Sequence, residues 1–590
     1  MKKITKHFRE VIALMAILIC TTSCFNLEDE PDPTPIAGHD FEYNGIYYNI
    51  TNTNRLTLEV TFKGTSYNSF TNEYSGSIVI PTTIKFNKKT YTVTSIGVDA
   101  FAYCSDLTSV TIPNSVTTIG NGAFYACDGL TSINLPDSLT TIGDNAFYAC
   151  DGLTSITIPN FVTKIGDNAF KDCSGLTSIN FNAENCTSMG SAKNLVFTGC
   201  NKLKSLNVGN KVKTIPSYAF HNCDGLTLTN LPNSLSTIGD YAFYDCDGLT
   251  SIDLPNSVIT IGKSAFSDCN NLLTVTIGKS VTSIGDNAFA NCAVLTIVNF
   301  NAENCAYMGN NSSYGWNTVF YYSPKLKEIN IGNNVKTIPP CAFVRCNSIS
   351  SITIPNSVTT IGESAFYECR NLVKLTIGNS VTTIGNFAFN YCDNITSLTL
   401  PNSLITIGKY AFHECYGLTS VTIPNSVTTI GESAFSYCRY LVELTIGNSV
   451  TTIGDNAFFF CKLTTLNYNA ENCALGSHSN PTFSDCYIKT LNIGDQVKII
   501  PSYAFYDCKS INTITFGKSV SKIGDYAFYN CYNTSKIYSK AMTPPACGIC
   551  ALDDIEKNYC QLFVPTSTLS KYQAADPWKE FNSISEDANL

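Results

Sequence analysis

Charge is scarce in this chain: only 14% of its 590 residues are Asp, Glu, Lys or Arg. Thr, Ser, Asn and Ile recur in their place, a composition that suits short strands and polar turns and predicts little helix. Beyond the first residues there is no run of Lys or Arg, and the formal net charge is −9. Clustered cations supply most of the affinity for nucleic acid, so nucleic acid is excluded as a partner. Histidine is rare too. The five are His7, His39, His221, His413 and His478, too scattered for a triad, and none lies near the lone Cys547-x-x-Cys550 pair. Carboxylates such as Asp144, Asp167 and Asp240 recur after Ile-Gly. That repetition points to turn chemistry, because catalysis needs one unique constellation. No enzyme, metal site or cofactor is expected.

The amino terminus reads as an export signal. Lys2, Lys3, Lys6 and Arg9 precede a short apolar run from Val11 to Cys20, followed by Thr21, Thr22, Ser23 and Cys24. The run is too short to cross hydrocarbon roughly 30 Å thick as a helix. Small residues before Cys24 resemble a bacterial lipobox, in which the cysteine is cleaved free and acylated, although Thr21 replaces the usual Leu. Residues 1–23 are thus expected to be a lipoprotein signal peptide, with Cys24 as the lipid anchor. Glu28, Asp29 and Glu30 with Pro31, Pro33 and Pro35 then mark residues 24–40 as an acidic, extended tether. An acidic stretch just after the lipid cysteine resembles a signal for display on the outer face of the outer membrane in Gram-negative anaerobes.

From residue 95 to about 540 a unit near twenty-three residues long returns, most visibly in Cys104, Cys127, Cys150 and Cys173. Such a period means a solenoid. One unit runs Leu107, Val110, Ile112, Pro113, Val116, Ile119, Gly120, Ala123, Phe124 and Cys127, and the next repeats it from Leu130 to Cys150. Alternation at Val110 and Ile112 predicts a half-buried strand, which Pro113 ends. Gly120 is expected to give backbone freedom for a second bend, and Phe124 and Cys127 to share one face of a single helical turn. Stacked at about 4.8 Å per coil, the array should extend on the order of 90 Å.

The pattern Leu-x-x-Ile-x-Ile-Pro, then Val-x-x-Ile-Gly-x-x-Ala-Phe-x-x-Cys, resembles the BspA-like leucine-rich repeat family of bacterial surface proteins. The resemblance implies short parallel β-strands in every coil, a β-rich amino-terminal cap over residues 41–94 and a small closing cap over residues 541–590. It also implies adhesion or another protein-binding role, with a host or microbial surface protein as partner. The usual buried Asn of leucine-rich repeats is replaced by Ser115, Ser138, Ser234 and Ser257, which can still hydrogen-bond the turn backbone.

Most of the 27 cysteines sit at one repeated position, the behaviour of a stacked core residue, so buried free thiols are expected there. For Cys547 and Cys550 a local disulfide is the economical reading. Binding is expected in two places. The outward strand positions, Ser109 and Thr111, Ser155 and Thr157, and on to Ser420 and Thr422, make a polar, nearly uncharged face. Three coils that begin Asn-Ala-Glu-Asn-Cys carry extra residues, and the longest holds Tyr307, Tyr314, Trp316, Tyr321 and Tyr322, aromatics of the kind that anchor interfaces. Glycan capture is the second functional reading, kept open by Trp316.

Overall fold

The computed structural model describes residues 38–69, 72–228, 230–310, 317–475, 481–483 and 485–590. Over these the chain winds into about 21 turns of about 23 residues each. Among the described residues helix is confined to Leu569–Ala574 and a 3-10 turn at Trp578–Glu580.

Each coil has three sides. In one, the strand Ser155–Ile158 buries Ile156 and Ile158 and turns Ser155 and Thr157 to solvent, the alternation that a one-sided core demands. A turn leads to the two-residue strand Lys164–Ile165, again with its Ile buried. The third side runs through Ala169 and Phe170 to Cys173, all buried. Strands pair in parallel with the equivalent strand one coil away, Ser155 with Ser178 and Ile165 with Met189.

The third side is not a helical turn. Phe124 and Cys127 do share the buried face, but Gly122 and Ala126 take φ of +60° and +54°, and these left-handed residues stop helix from propagating. The N–H groups of Gly122, Phe124 and Ala126 then point along the stack and donate to Asp144, Ala146 and Tyr148 of the next coil at 2.8, 2.7 and 2.8 Å. This is a third intercoil ladder. Asn and Asp, which tolerate the left-handed region better than most residues, fill many of its positions, including Asn145, Asn168, Asp172, Asn222 and Asp245. Gly120 serves closeness and not freedom: its φ is not left-handed, and a Cβ would lie 2.7 Å from the carbonyl carbon of Gly97.

Inside, Phe101, Phe124, Phe147 and Phe170 stack with centroids 5.0 Å apart and planes within about 5°. Each is fully buried and contributes about 1.5–3 kcal/mol. Beside them stands the cysteine column. Cys127 and Cys150 donate to the carbonyls of Phe101 and Phe124 in the preceding coil, both at 3.0 Å. The one coil with serine in this column keeps the bond, Ser323 Oγ to Phe289 O at 3.2 Å. The column is therefore a row of donors as well as small apolar volume. The serines in the asparagine slot behave similarly. Ser138 and Ser234 donate to Val116 and Val212 of the preceding coil at 2.7 and 2.6 Å, whereas the hydroxyls of Ser115 and Ser257 are buried without a partner.

Proline punctuates both sheets because it has no N–H to give. The strand sheet stops between Asn134 and Ser155, Leu228 and Ser251, Ile331 and Ser351, and on both sides of the coil at Ser397 apart from one bridge to Lys374. Every coil that follows such a gap closes its strand with proline: Pro159, Pro255, Pro355, Pro401 and Pro424. Of the coils without that proline, those ending at Phe181, Val208, Phe300, Ile331, Tyr468 and Ile493 pair over four residues with the coil before, as at Phe181↔Val208 and Ile446↔Tyr468. On the second side, Gly143 N–H bonds Ile119 O and its equivalents continue the ladder. That sheet ends after Met189, after Met308 and, past a bridge from Thr452 to Ala474, after the coil of Ala474, and the coils beyond carry Pro216, Pro339 and Pro501 where others have Gly.

Both caps merge with the stack. Lys89–Ile96 spans residue 95, pairing with Thr57–Thr61 on one side and with Thr118–Ile119 on the other. The strand Gly76–Val79 already lies on the first repeat strand. At the other end Gln561–Pro565 continues the strand ladder past residue 541, and Ser583–Asp587 closes it. His39, placed by sequence in the tether, is buried against Tyr47 with ring centroids 4.6 Å apart, so the folded body includes it.

Candidate interaction surface

Cys24, Tyr314 and Trp316 lie outside the described residues. Of the remaining loop aromatics, Tyr307 is exposed and its hydroxyl donates to Asp286 at 2.7 Å. Tyr322 is 74% exposed and pairs loosely with the half-buried Tyr321, centroids 6.2 Å apart. Tyr307 stands on the second side of its coil and the Tyr321–Tyr322 pair on the third, so they do not form one cluster. The strand-face residues point outward as expected. Thr111, Ser155, Thr157, Ser420 and Thr422 are exposed, and Ser109 is half-buried with its hydroxyl 2.8 Å from that of Ser77.

The richest exposed chemistry is on the third side of the later coils, which the sequence reading passed over. The position after the ladder cysteine is acidic or uncharged in early coils, among them Asp128, Asp151, Ser174, Asn201, Asp224 and Asp247, whereas later coils carry Arg370, Asp393, Tyr416, Arg439, Lys462 and Tyr487. Arg370 pairs with Asp393 of the next coil, Nη1 to Oδ2 at 3.1 Å, and with Glu368, and lies over Tyr391 at 5.3 Å. Arg439 is different. Its guanidinium sits 5.4, 5.9 and 5.9 Å from the ring centroids of Tyr416, Tyr437 and Phe460, and among the described residues it makes no ion pair. Tyr440 is 60% exposed with Lys462 over its ring, and Phe460 is 46% exposed. A signal is present in the sequence: this column holds Ser, Asp, Asn, Ala or Pro as far as Asn347, and Arg, Lys and Tyr enter it only from Arg370 onward.

The remaining candidate chemistry is structural. Burial pushes the thiols of Cys269, Cys369 and Cys508 up to about 12, which leaves these three neutral and unreactive. The disulfide expected for Cys547 and Cys550 is not formed, since both are free. Cys547 turns its sulfur to Pro545 O at 3.6 Å, while Cys550, with φ of +51°, faces Tyr526 and Asp553. His221 packs at a tilt against Tyr244 with ring centroids 4.6 Å apart, and His413 bonds Ser436 Oγ through Nδ1 at 2.6 Å; burial lowers both imidazole pKa values. His478 lies outside the described residues. Among those described, no group of three His, Cys, Asp or Glu side chains could hold a metal ion, and no helix is long and apolar enough to cross a membrane.

The repeat just described matches the BspA type leucine rich repeat region, in several overlapping stretches that run from residue 94 to residue 543. The chain belongs to the BspA-type leucine-rich repeat family. Members of this family are typically cell-surface proteins, and the fold serves as a binding scaffold. Among solved structures, a leucine-rich repeat protein from Bacteroides ovatus is 25% identical, with 78% of this chain and 95% of that one covered and a TM-score of 0.41. A leucine rich cell surface protein from Faecalibacterium prausnitzii is 24% identical, covering 71% of this chain and 95% of its own, with a TM-score of 0.30. A leucine-rich repeat protein from Eubacterium ventriosum is 19% identical over 83% of this chain and 93% of that one, with a TM-score of 0.27. No curated protein matches this BspA-type chain.

Proposed function

We propose that this protein is a lipid-anchored adhesin of the outer membrane surface that binds proteins of a host or of neighbouring microbes. The observation that carries the protein-binding part is the exposed Arg439, Tyr440 and Phe460 on a stack whose backbone is fixed by intercoil ladders. Arg, Tyr and other aromatics dominate binding energy at protein interfaces, and a rigid support lowers the ordering cost of using them. Anchoring is supported by the basic segment, the short apolar run and Cys24, and display by the acidic tether that follows. Mass spectrometry of the mature protein should find acyl chains on Cys24, and an unmodified terminus further along would end that part.

Protein and glycan partners are separated by one experiment. Cys24→Ser protein, purified from the soluble fraction, is tested against a panel of matrix proteins and an array of polysaccharides. Capture on the protein panel alone is expected. Capture on the polysaccharides alone would replace adhesion with glycan binding.

A further inference from the structure

We propose that Arg439 and Lys462 form a docking site for an acidic segment of a partner protein, in which carboxylates are interspersed with apolar side chains. The column after the ladder cysteine shows how the chain settles a cation when the cation is structural. Arg370 reaches the next member of the column, Asp393, at 3.1 Å, and Glu368 beside it at 3.6 Å. Where Arg439 would find its equivalent of Asp393, the chain places Lys462, in a turn one residue shorter than its neighbours and with its ammonium over Tyr440. Two cations in successive coils of one column repel each other and relieve nothing in the fold. Neither makes an ion pair among the described residues, and Glu414, in the coil before Arg439, is engaged by the Tyr416 hydroxyl and by His413 Nε2.

Tyr416, Tyr437 and Phe460 surround the Arg439 guanidinium and hold it by cation–π attraction. None of its N–H groups has a hydrogen-bond acceptor among the described residues, which leaves them for a carboxylate, the anion that matches the planar fork in bidentate geometry. Tyr440 and Phe460 flank this anion position with exposed ring surface. Apolar side chains next to the incoming carboxylate would cover those rings. An alternation of acid and apolar residues fits that layout.

The site rests on the protein-binding reading above, and its test is independent of the natural partner. A fluorescein-labelled peptide of alternating Glu and Phe is titrated into the full chain by fluorescence anisotropy, beside its Gln–Phe analogue and an oligogalacturonate. The Glu peptide is expected to bind, to weaken as salt rises, and to exceed the Gln analogue by about tenfold or more. Arg439→Gln should reduce its affinity by a similar factor and flatten the salt dependence. Lys462→Gln should act in the same direction, and Arg439→Lys should restore part of the loss. Arg370→Gln should leave binding unchanged. Far-ultraviolet circular dichroism confirms that each variant is folded, and Tyr440→Ala, which keeps both charges, gives a second reading of the same site. Peptide binding that is indifferent to both Arg439→Gln and Lys462→Gln, or no binding at all, overturns the site while capture on the protein panel keeps the broader reading alive. Tight oligogalacturonate binding lost in Arg439→Gln, with the Glu peptide inert, reassigns the site to anionic polysaccharide and overturns the proposal.

Discussion

The regular coils and the three coils that begin Asn-Ala-Glu-Asn-Cys solve the same stacking problem by different means. Between regular coils all the phenylalanine rings lie 5.0–5.5 Å apart and the thiol donates across the junction. Just beyond each irregular coil the rings open to 5.8, 6.0 and 5.8 Å, at Phe197–Phe220, Phe320–Phe343 and Phe483–Phe505. The thiols of Cys223 and Cys346 then reach only a carbonyl of their own turn, at 4.0 Å. Other contacts compensate. Phe181, Phe300 and Tyr468 meet the next coil's phenylalanine edge-on, and the strand face gains amide chains, Asn207 to Asn180 to Thr157 at 3.1 and 3.2 Å, repeated at Asn330–Asn299–Thr276 and Asn492–Asn467–Thr445. An insertion that spoils close stacking is tolerated because the strand face takes over the register.

The largest expected effect treats both kinds of coil alike. The thiols at Cys269, a regular position, and Cys508, beyond an irregular coil, are both held up to about 12 chiefly by burial, against 9.0 for the free group. An acid whose pKa is raised on folding stabilises the fold fully below its unfolded value. That stability is lost as pH climbs from about 9 towards 12, at about 1.4 kcal/mol per unit for each thiol. Denaturant titrations across that window should show joint failure, and hydrogen exchange should show no irregular coil opening ahead of its neighbours. Next comes Phe147→Ala, which empties a tight part of the ring stack and should cost about 3–5 kcal/mol, read from urea unfolding together with exchange in the flanking coils.

Gly494→Ala tests the junctions specifically. A Cβ there would lie 2.3 Å from Asn469 Oδ1, and Gly209 and Gly332 meet Asn182 and Asn301 in the same way. A loss of about 1–3 kcal/mol is expected, and the double variant with Asn469→Ala should recover part of it. The smallest effect sharpens the contrast most. Cys150→Ala removes an intercoil bond that Cys346→Ala does not, so it should cost about 1 kcal/mol more. Cys150→Ser should resemble wild type, as Ser323 does.

Period, strand placement and the buried thiol column were legible because a one-sided core repeats its apolar residues at fixed spacing. The third side was not. Ala126 and Tyr103 occupy left-handed backbone despite being poorly suited to it, since stacking on the neighbouring coil outweighs local preference, and propensity alone cannot see that. The candidate site was missed for a related reason. Residues added by insertions are conspicuous in a periodic sequence, whereas Arg439 and Lys462 are ordinary members of a column and stand out only along that column from coil to coil. Tyr307 and Tyr322, close in sequence terms, are separated because a coil sends its sides in three directions.

The two sets of proline are spaced so that they never interrupt the same junction. Where Pro216, Pro339 or Pro501 stops the second-side sheet, the strand pairs Phe181↔Val208, Phe300↔Ile331 and Tyr468↔Ile493 run across. Where Pro159 or Pro255 opens the strands, Ile142↔Ile165 and Ile238↔Ile261 hold. A molecule pulled at its two ends would thus meet the pull everywhere with main-chain bonds, and tearing it would require breaking a backbone seam instead of sliding greasy surfaces apart.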